Sequence, residues 1–181
     1  VWFEEEYVRK YPYSSVGSNV IGFCTSDNTG SWGIEKYYNS SLNGVTGRRY
    51  GYFDADLNLV KTVKPATNGN TIVSSIDVNI QGILEQHMKK FLKDVGALNM
   101  GCIIMNPNNG EIYAMASNKQ YDLNNPRDLT GFYPQKKIDK MSDKDKMDAL
   151  SKIWRNFCIS DAYEPGSTFK IITMSAGLEV G

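Results

Sequence analysis

Tyr163-Glu164-Pro165-Gly166-Ser167-Thr168-Phe169-Lys170 sets a serine and a lysine three residues apart at the start of an apolar run. Pro165 fixes its own φ near the helical value, and proline favours a first helical turn. Glu164 precedes a proline and is driven toward extended backbone. The pattern predicts a helix from about Gly166 to Glu179, with Ser167 in its first turn. Backbone N–H groups there lack intrahelical partners. With the positive helix end they favour negative charge, such as an oxyanion on a substrate carbonyl. Lys170 lies one turn on, on the same face. A serine hydroxyl is a weak nucleophile that needs an adjacent base. A lysine is that base when burial or nearby positive charge favours its neutral form. The candidate catalytic residues are therefore Ser167 as nucleophile and Lys170 as proton acceptor.

Bare S-x-x-K recurs by chance, and its ordinary meaning is a helix start followed by a solvated lysine. It is also the nucleophile spacing of penicillin-binding proteins and serine β-lactamases. The longer run from Tyr163 to Lys170 resembles the active-site segment of class B penicillin-binding proteins, the monofunctional D,D-transpeptidases that cross-link peptidoglycan. Arg155-Asn156, just upstream, is also typical of that family.

Outward from this segment, Ser142-Asp143-Lys144-Asp145 predicts a capped helix start, with Met147, Leu150, Ile153 and Trp154 on its apolar side. Residues 118–141 are polar, hold Asn124-Asn125-Pro126 and Tyr133-Pro134, and show no regular element. They read as a mobile surface insertion or, by the resemblance, as a flank of the active-site groove. Gly101-Cys102-Ile103-Ile104-Met105-Asn106 and Glu111-Ile112-Tyr113-Ala114-Met115-Ala116-Ser117 predict two strands joined at Pro107-Asn108-Asn109-Gly110. Asp77 caps an amphipathic helix over about 77–94, whose stripe is Ile80, Ile83, Leu84, His87, Met88, Phe91, Leu92 and Val95. Thr71-Ile72-Val73-Ser74-Ser75-Ile76 is β-rich, and 64–70 is the linker candidate.

Nearer the N-terminus, residues 32–44 read as one short helix ended by glycine, with Ile34, Tyr37, Tyr38 and Leu42 on one face. A hairpin of 48–53 and 57–63 turns at Asp54-Ala55-Asp56. No spacing here carries chemistry. As a set, however, Arg9, Tyr11-Pro12, Ile21-Gly22, Gly30 to Glu35 and Leu42 to Gly47 resemble the conserved region ahead of the transpeptidase domain in class B enzymes. Ser18-Asn19 departs from that pattern, where the family often carries a histidine.

The resemblance implies an α+β fold: the end of a pedestal, dimerisation-type domain over 1–68, then the N-terminal part of a penicillin-binding transpeptidase domain over 69–181, an antiparallel sheet with helices.

Composition fits a globular chain. The 181 residues carry 20 Lys+Arg against 20 Asp+Glu and are 41% hydrophobic. No basic block points to nucleic acid or an anionic membrane surface. Cys24, Cys102 and Cys158 are an odd, widely spaced set that gives no disulfide framework. With His87 the one histidine, no zinc site is expected, and all four residues read as packing. His87 is expected to be buried and hydrogen-bonded. No cofactor is expected. No run is long and apolar enough to span a membrane, and no signal peptide is expected within these residues. The opening Val1-Trp2-Phe3-Glu4-Glu5-Glu6 does not read as a natural start, so an excised segment is expected.

By the resemblance, Ser167 attacks the carbonyl between the terminal D-alanines of a donor stem peptide, and β-lactams acylate the same serine. In the family an S-x-N and a Lys-Thr-Gly lie later in the chain than the nucleophile; here Ser142, Ser151 and Ser160 do not open S-x-N, and no Lys-Thr-Gly occurs. The expected partners are the stem peptide, β-lactam antibiotics and, for the parent, other cell-wall synthesis proteins. The resemblance implies a parent at the extracytoplasmic face of a bacterial membrane, held by an N-terminal helix. Alone, the chain is expected to be inactive and to self-associate. Other readings are a penicillin-recognising β-lactamase or sensor domain, and a non-enzymatic scaffold of cell-wall synthesis.

Overall fold

The computed structural model describes residues 8–181, so the acidic opening stretch lies outside the described residues. The described chain begins with turns and three short helices, α1 (Ser18–Ile21), α2 (Gly33–Tyr37) and α3 (Asn39–Leu42). A close backbone crossing decides their arrangement. Gly22 and Gly33 both have positive φ, and a Cβ on Gly22 would overlap the Trp32 carbonyl oxygen. Only glycine suits both conditions. The crossing brings Glu35, 3% exposed, under the N-terminal segment. Its carboxylate accepts from Arg9 Nε at 2.7 Å, Tyr11 Oη at 3.3 Å and Cys24 Sγ at 3.3 Å. Burial and the bond to Glu35 push the Cys24 thiol up to about 11. Cys24 is therefore a donor to a carboxylate, beyond the plain packing expected of it.

The single helix expected over 32–44 is instead two, broken at Tyr38, and Tyr37 is 80% exposed. The Asn39 side chain explains the break. Its Oδ1 accepts from Gly30 N at 2.8 Å and Asn43 Nδ2 at 2.9 Å, and such local bonding competes with a continuous helix. Next comes a hairpin of β1 (Arg48–Phe53) and β2 (Leu59–Lys64). Its turn is longer than expected, because Asp54 Oδ1 accepts from both Asp56 N and Asn58 N and Leu57 takes a positive φ. The predicted linker is docked rather than loose. Val45 and Thr67 exchange backbone bonds at 2.8 and 2.9 Å, and Asn70 N donates to Ser41 O at 2.7 Å.

Helix α4 (Val78–Val95) starts at Asp77, whose carboxylate accepts from Asn79 N and Ile80 N, and ends at Gly96 with φ 70°. Two strands follow, β3 (Gly101–Met105) and β4 (Ile112–Ser117), antiparallel as expected, with a bulge between Ile104 and Met105. The β-rich run 71–76 forms no strand. Asp77 N donates to Tyr113 O, but the next position along β4 is filled by a side chain. The Gln81 amide accepts from Met115 N and donates to Met115 O, both at 2.9 Å, in the place of a strand.

That contact also sets the rotation of α4. Its buried residues are Gln81, Glu85 and Met88, whereas Ile83, Phe91, Val95 and His87 are exposed. The expectation of a buried histidine is thus corrected: His87 lies on the outer side because two polar residues anchor the inner one. Glu85 Oε1 accepts from Gln81 Nε2 at 2.7 Å and Gly17 N at 2.8 Å. Burial raises the Glu85 pKa, against the pull of these two donors. A carboxyl raised in the folded state loses its proton first in the unfolded chain, so stability falls as pH rises between the two values. Glu85→Gln keeps an acceptor for Gly17 and removes the titration. In urea denaturation from about pH 4 to 7, the midpoint difference between variant and wild type should move in the variant's favour as pH rises. A difference constant with pH would show that Glu85 does not titrate in this way.

Residues 118–141 are not a mobile insertion. They supply Tyr121, Leu123 and Leu129 to the main core, with Phe23 and, from α6 (Asp143–Trp154), Ala149, Leu150, Ile153 and Trp154. One short helix, α5 (Gln135–Ile138), interrupts them. Asn124 brackets Tyr11 through both its backbone groups, and Trp154 Nε1 donates to Pro126 O at 2.7 Å. Helix α6 opens with the expected cap, Ser142 and Asp145 bonding each other's backbone N–H, although Met147 stays exposed. The core therefore lies between the N-terminal segment and the elements that follow α4.

Candidate active site

Helix α6 ends at Trp154, and Arg155-Asn156 turns the chain into α7 (Phe157–Ser160). Asn156 caps α7 by accepting from Cys158 N at 3.0 Å. Arg155 reaches back over it, donating to Ser160 O and pairing with Asp161 at 3.2 Å. Cys158 packs beneath, its thiol 3.3 Å from Ala116 O on β4. The chain then runs without regular structure to Pro165.

At Gly166 the backbone takes φ 58°, in open space where glycine carries no penalty and other residues do. Here the structure departs from a simple helix start. Residues Gly166–Phe169 form a 3₁₀ turn, and α8 (Lys170–Val180) follows directly. Thr168 Oγ1 donates to Pro165 O at 2.5 Å, and Lys170 N donates to Ser167 O. Residues three apart eclipse in a 3₁₀ turn, so Ser167 and Lys170 rise from one side of the segment. Both are exposed, and their side chains are not hydrogen-bonded to each other. The first-turn N–H groups lie beside Ser167, where an oxyanion of an acylated serine would form. The arrangement is one that could serve acyl transfer: a hydroxyl, an amine three residues on and first-turn backbone N–H groups.

Among the described residues no group of three or more His, Cys, Asp or Glu side chains could hold a metal ion. No described helix is long and apolar enough to cross a membrane. Sequence reasoning missed Gln81 and Glu85, whose i,i+4 spacing on one face of α4 was the available signal. It also missed Asn19, which is 7% exposed and bonded to the end of α6.

Comparison with known proteins gives concordant results. Residues 1–74 match the family model of the penicillin-binding protein dimerisation domain, and residues 100–181 match that of the penicillin binding protein transpeptidase domain. The chain is 33% identical over 183 residues to stage V sporulation protein D of Bacillus subtilis strain 168, with 99% of this chain and 25% of that protein covered. It is 30% identical over 183 residues to the peptidoglycan D,D-transpeptidase FtsI of Buchnera aphidicola subsp. Schizaphis graminum, with 100% of this chain and 29% of that protein covered. The chain thus spans between a quarter and three tenths of these relatives. A crystal structure of a peptidoglycan synthetase from Bifidobacterium adolescentis superposes with a TM-score of 0.71 over 95% of this chain and 28% of that one. At 21% identity this last likeness speaks for the fold alone.

Proposed function

The chain belongs to the class B penicillin-binding proteins, in which a dimerisation domain precedes a transpeptidase domain, and from that premise we propose that it is part of a peptidoglycan D,D-transpeptidase with Ser167 as nucleophile and Lys170 as its base. The observation that carries this reading is the 3₁₀ turn behind Gly166, which sets the two side chains on one side of an exposed segment. Ser167 Oγ attacks the carbonyl between the two terminal D-alanines of a donor stem peptide as Lys170 Nζ takes its proton. The tetrahedral oxyanion collapses, Lys170 gives the proton to the departing nitrogen, D-alanine leaves as the amine, and the stem peptide remains as an ester on Ser167. An acceptor amine from a neighbouring strand then attacks that ester, forms the cross-link and restores the hydroxyl. A β-lactam opens on the same serine. The whole protein works at the extracytoplasmic face of the membrane, among other cell-wall synthesis proteins.

In this reading residues 1–68 are the pedestal and 69–181 open the transpeptidase domain. The bond from Asn70 N to Ser41 O keeps the chain beside α3 to within two residues of that boundary.

Lys170→Ala tests the proton-transfer role in the full-length parent. A positioned base contributes about 10²- to 10⁴-fold, so acylation by penicillin should slow by that factor. Lys170 is exposed, and the melting temperature should barely change. Lys170→Arg should not restore the rate, because a guanidinium keeps its proton in proteins. An unchanged acylation rate in Lys170→Ala would remove Lys170 from the mechanism.

A further inference from the structure

Three consecutive residues of the pedestal segment each bond a different part of the chain beyond it. Gly17 N donates to Glu85 Oε1 on α4 at 2.8 Å. Ser18 is fully buried; its Oγ accepts from Tyr121 N at 3.2 Å, and its carbonyl accepts from the Tyr121 hydroxyl at 3.1 Å. Asn19 Nδ2 donates to Ile153 O at 3.2 Å and Arg155 O at 3.4 Å. Asn156 Nδ2 returns a bond to Asn19 O at 3.5 Å.

The Asn19 contacts differ in kind from the other two. The last carbonyls of a helix have no intrahelical partner, and at the end of α6 a buried side-chain amide satisfies one of them and the cap carbonyl beyond it. An asparagine amide has two N–H donors, and both are used here. The return bond comes from Asn156, 5% exposed, which also caps α7. From there Arg155 holds Ser160 and Asp161. A continuous set of hydrogen bonds and one ion pair thus runs from α1 to Asp161, six residues before Ser167.

We propose that Asn19 is a positioning residue for acylation: its amide holds the Ile153 and Arg155 carbonyls while its backbone carbonyl receives the Asn156 amide, and together these bonds fix the direction in which the chain leaves α6 and so where Ser167 is presented. The effect on acylation rests on the reading of Ser167 as nucleophile. The interlock itself does not.

Two readouts on the full-length parent separate these claims. The first is hydrogen–deuterium exchange of the amides of residues 156–161. Asn19→Ala should raise it, because the α6–α7 junction loses its anchor. The second is single-turnover acylation by fluorescent penicillin. Misplacement of a reacting group by about 1 Å costs up to about 100-fold. Asn19→Ala should lower the rate constant at saturating penicillin by about 10- to 100-fold, leave the half-saturating concentration unchanged, and leave the pH profile in place. Asn156→Ala breaks the interlock from the other side and should act alike. The double variant should be little slower than either single one, since interacting residues do not add. Ser18→Ala is the control: it removes the Oγ that accepts from Tyr121 N, keeps the backbone carbonyl that accepts from the Tyr121 hydroxyl, and should lower the melting temperature without slowing acylation.

Variants that melt earlier but acylate at the wild-type rate would overturn the proposal, as would additive effects of Asn19→Ala and Asn156→Ala. If Asn19→Ala does not fold, Asn156→Ala and its exchange pattern decide the matter. A wild-type parent that is never labelled at Ser167 would sink the functional reading, while the exchange comparison would still judge the interlock.

Discussion

Ser167→Ala in the full-length parent is expected to abolish covalent labelling by penicillin, read as complete loss of the single adduct in the intact mass. The substitution removes the one oxygen that can form the ester. Neighbouring hydroxyls are not substitutes. Thr168 Oγ1 is committed to Pro165 O, Thr173 Oγ1 to Phe169 O and Ser175 Oγ to Ile171 O. Ser167 alone among these hydroxyls stands free in the first turn, next to the N–H groups that would receive an oxyanion. The residue is exposed, so the substitution should change stability by no more than about 0.5 kcal/mol. A lost adduct with an unchanged melting temperature therefore reports on chemistry. An adduct of wild-type intensity in the variant would move the nucleophile elsewhere and end the assignment.

The elements legible in the sequence are those whose causes are local. Asp77 and Gly96 bound α4 because a cap and a left-handed glycine act within one turn. Pro107-Asn108-Asn109-Gly110 closes β3 on β4, and Ser142 with Asp145 starts α6, by bonds no longer than five residues. What was not legible depends on distant partners. Periodicity placed His87 inward by counting apolar neighbours, but Gln81 and Glu85 turn α4 toward Met115 and Gly17. Tyr121, Leu123 and Leu129 join the core from a stretch with no period, since that stretch is fixed by Ser14, Ser18 and Trp154 rather than by its own neighbours. The candidate site divides the same way. Its two proposed reacting side chains are readable from S-x-x-K and the proline ahead of it. The proposed hold on them is not, because the Asn19–Asn156 bond spans 137 positions.

A polypeptide of this sequence alone is expected to resist penicillin labelling and to self-associate, and both results follow from the same segment. Around Ser167 the oxyanion has only the first-turn backbone donors, and neither S-x-N nor Lys-Thr-Gly occurs after Ser167. Loss of one oxyanion donor costs about 10²- to 10³-fold in other acyl-transfer enzymes. Here a second donor and the group that binds the substrate carboxylate are lacking together, so the deficit should exceed that range. The helix that follows is uncovered. Ile171 is 73% exposed, Met174 67%, Leu178 79% and Val180 86%, and Phe169 and Ile172 are more than half exposed. Contiguous apolar surface of this kind is seldom left open on a soluble monomer, and another copy of the same helix is the nearest cover at high concentration. Light scattering should therefore show a mass that rises with concentration, and Ile171→Glu with Leu178→Glu should reverse it. Overnight incubation with fluorescent penicillin should leave the chain unlabelled whether or not those glutamates are present. That double variant separates the two effects: if dispersing the helix restored labelling, association rather than an incomplete site would be what silences Ser167. A wild-type chain that stays monomeric and labels stoichiometrically would refute both expectations at once.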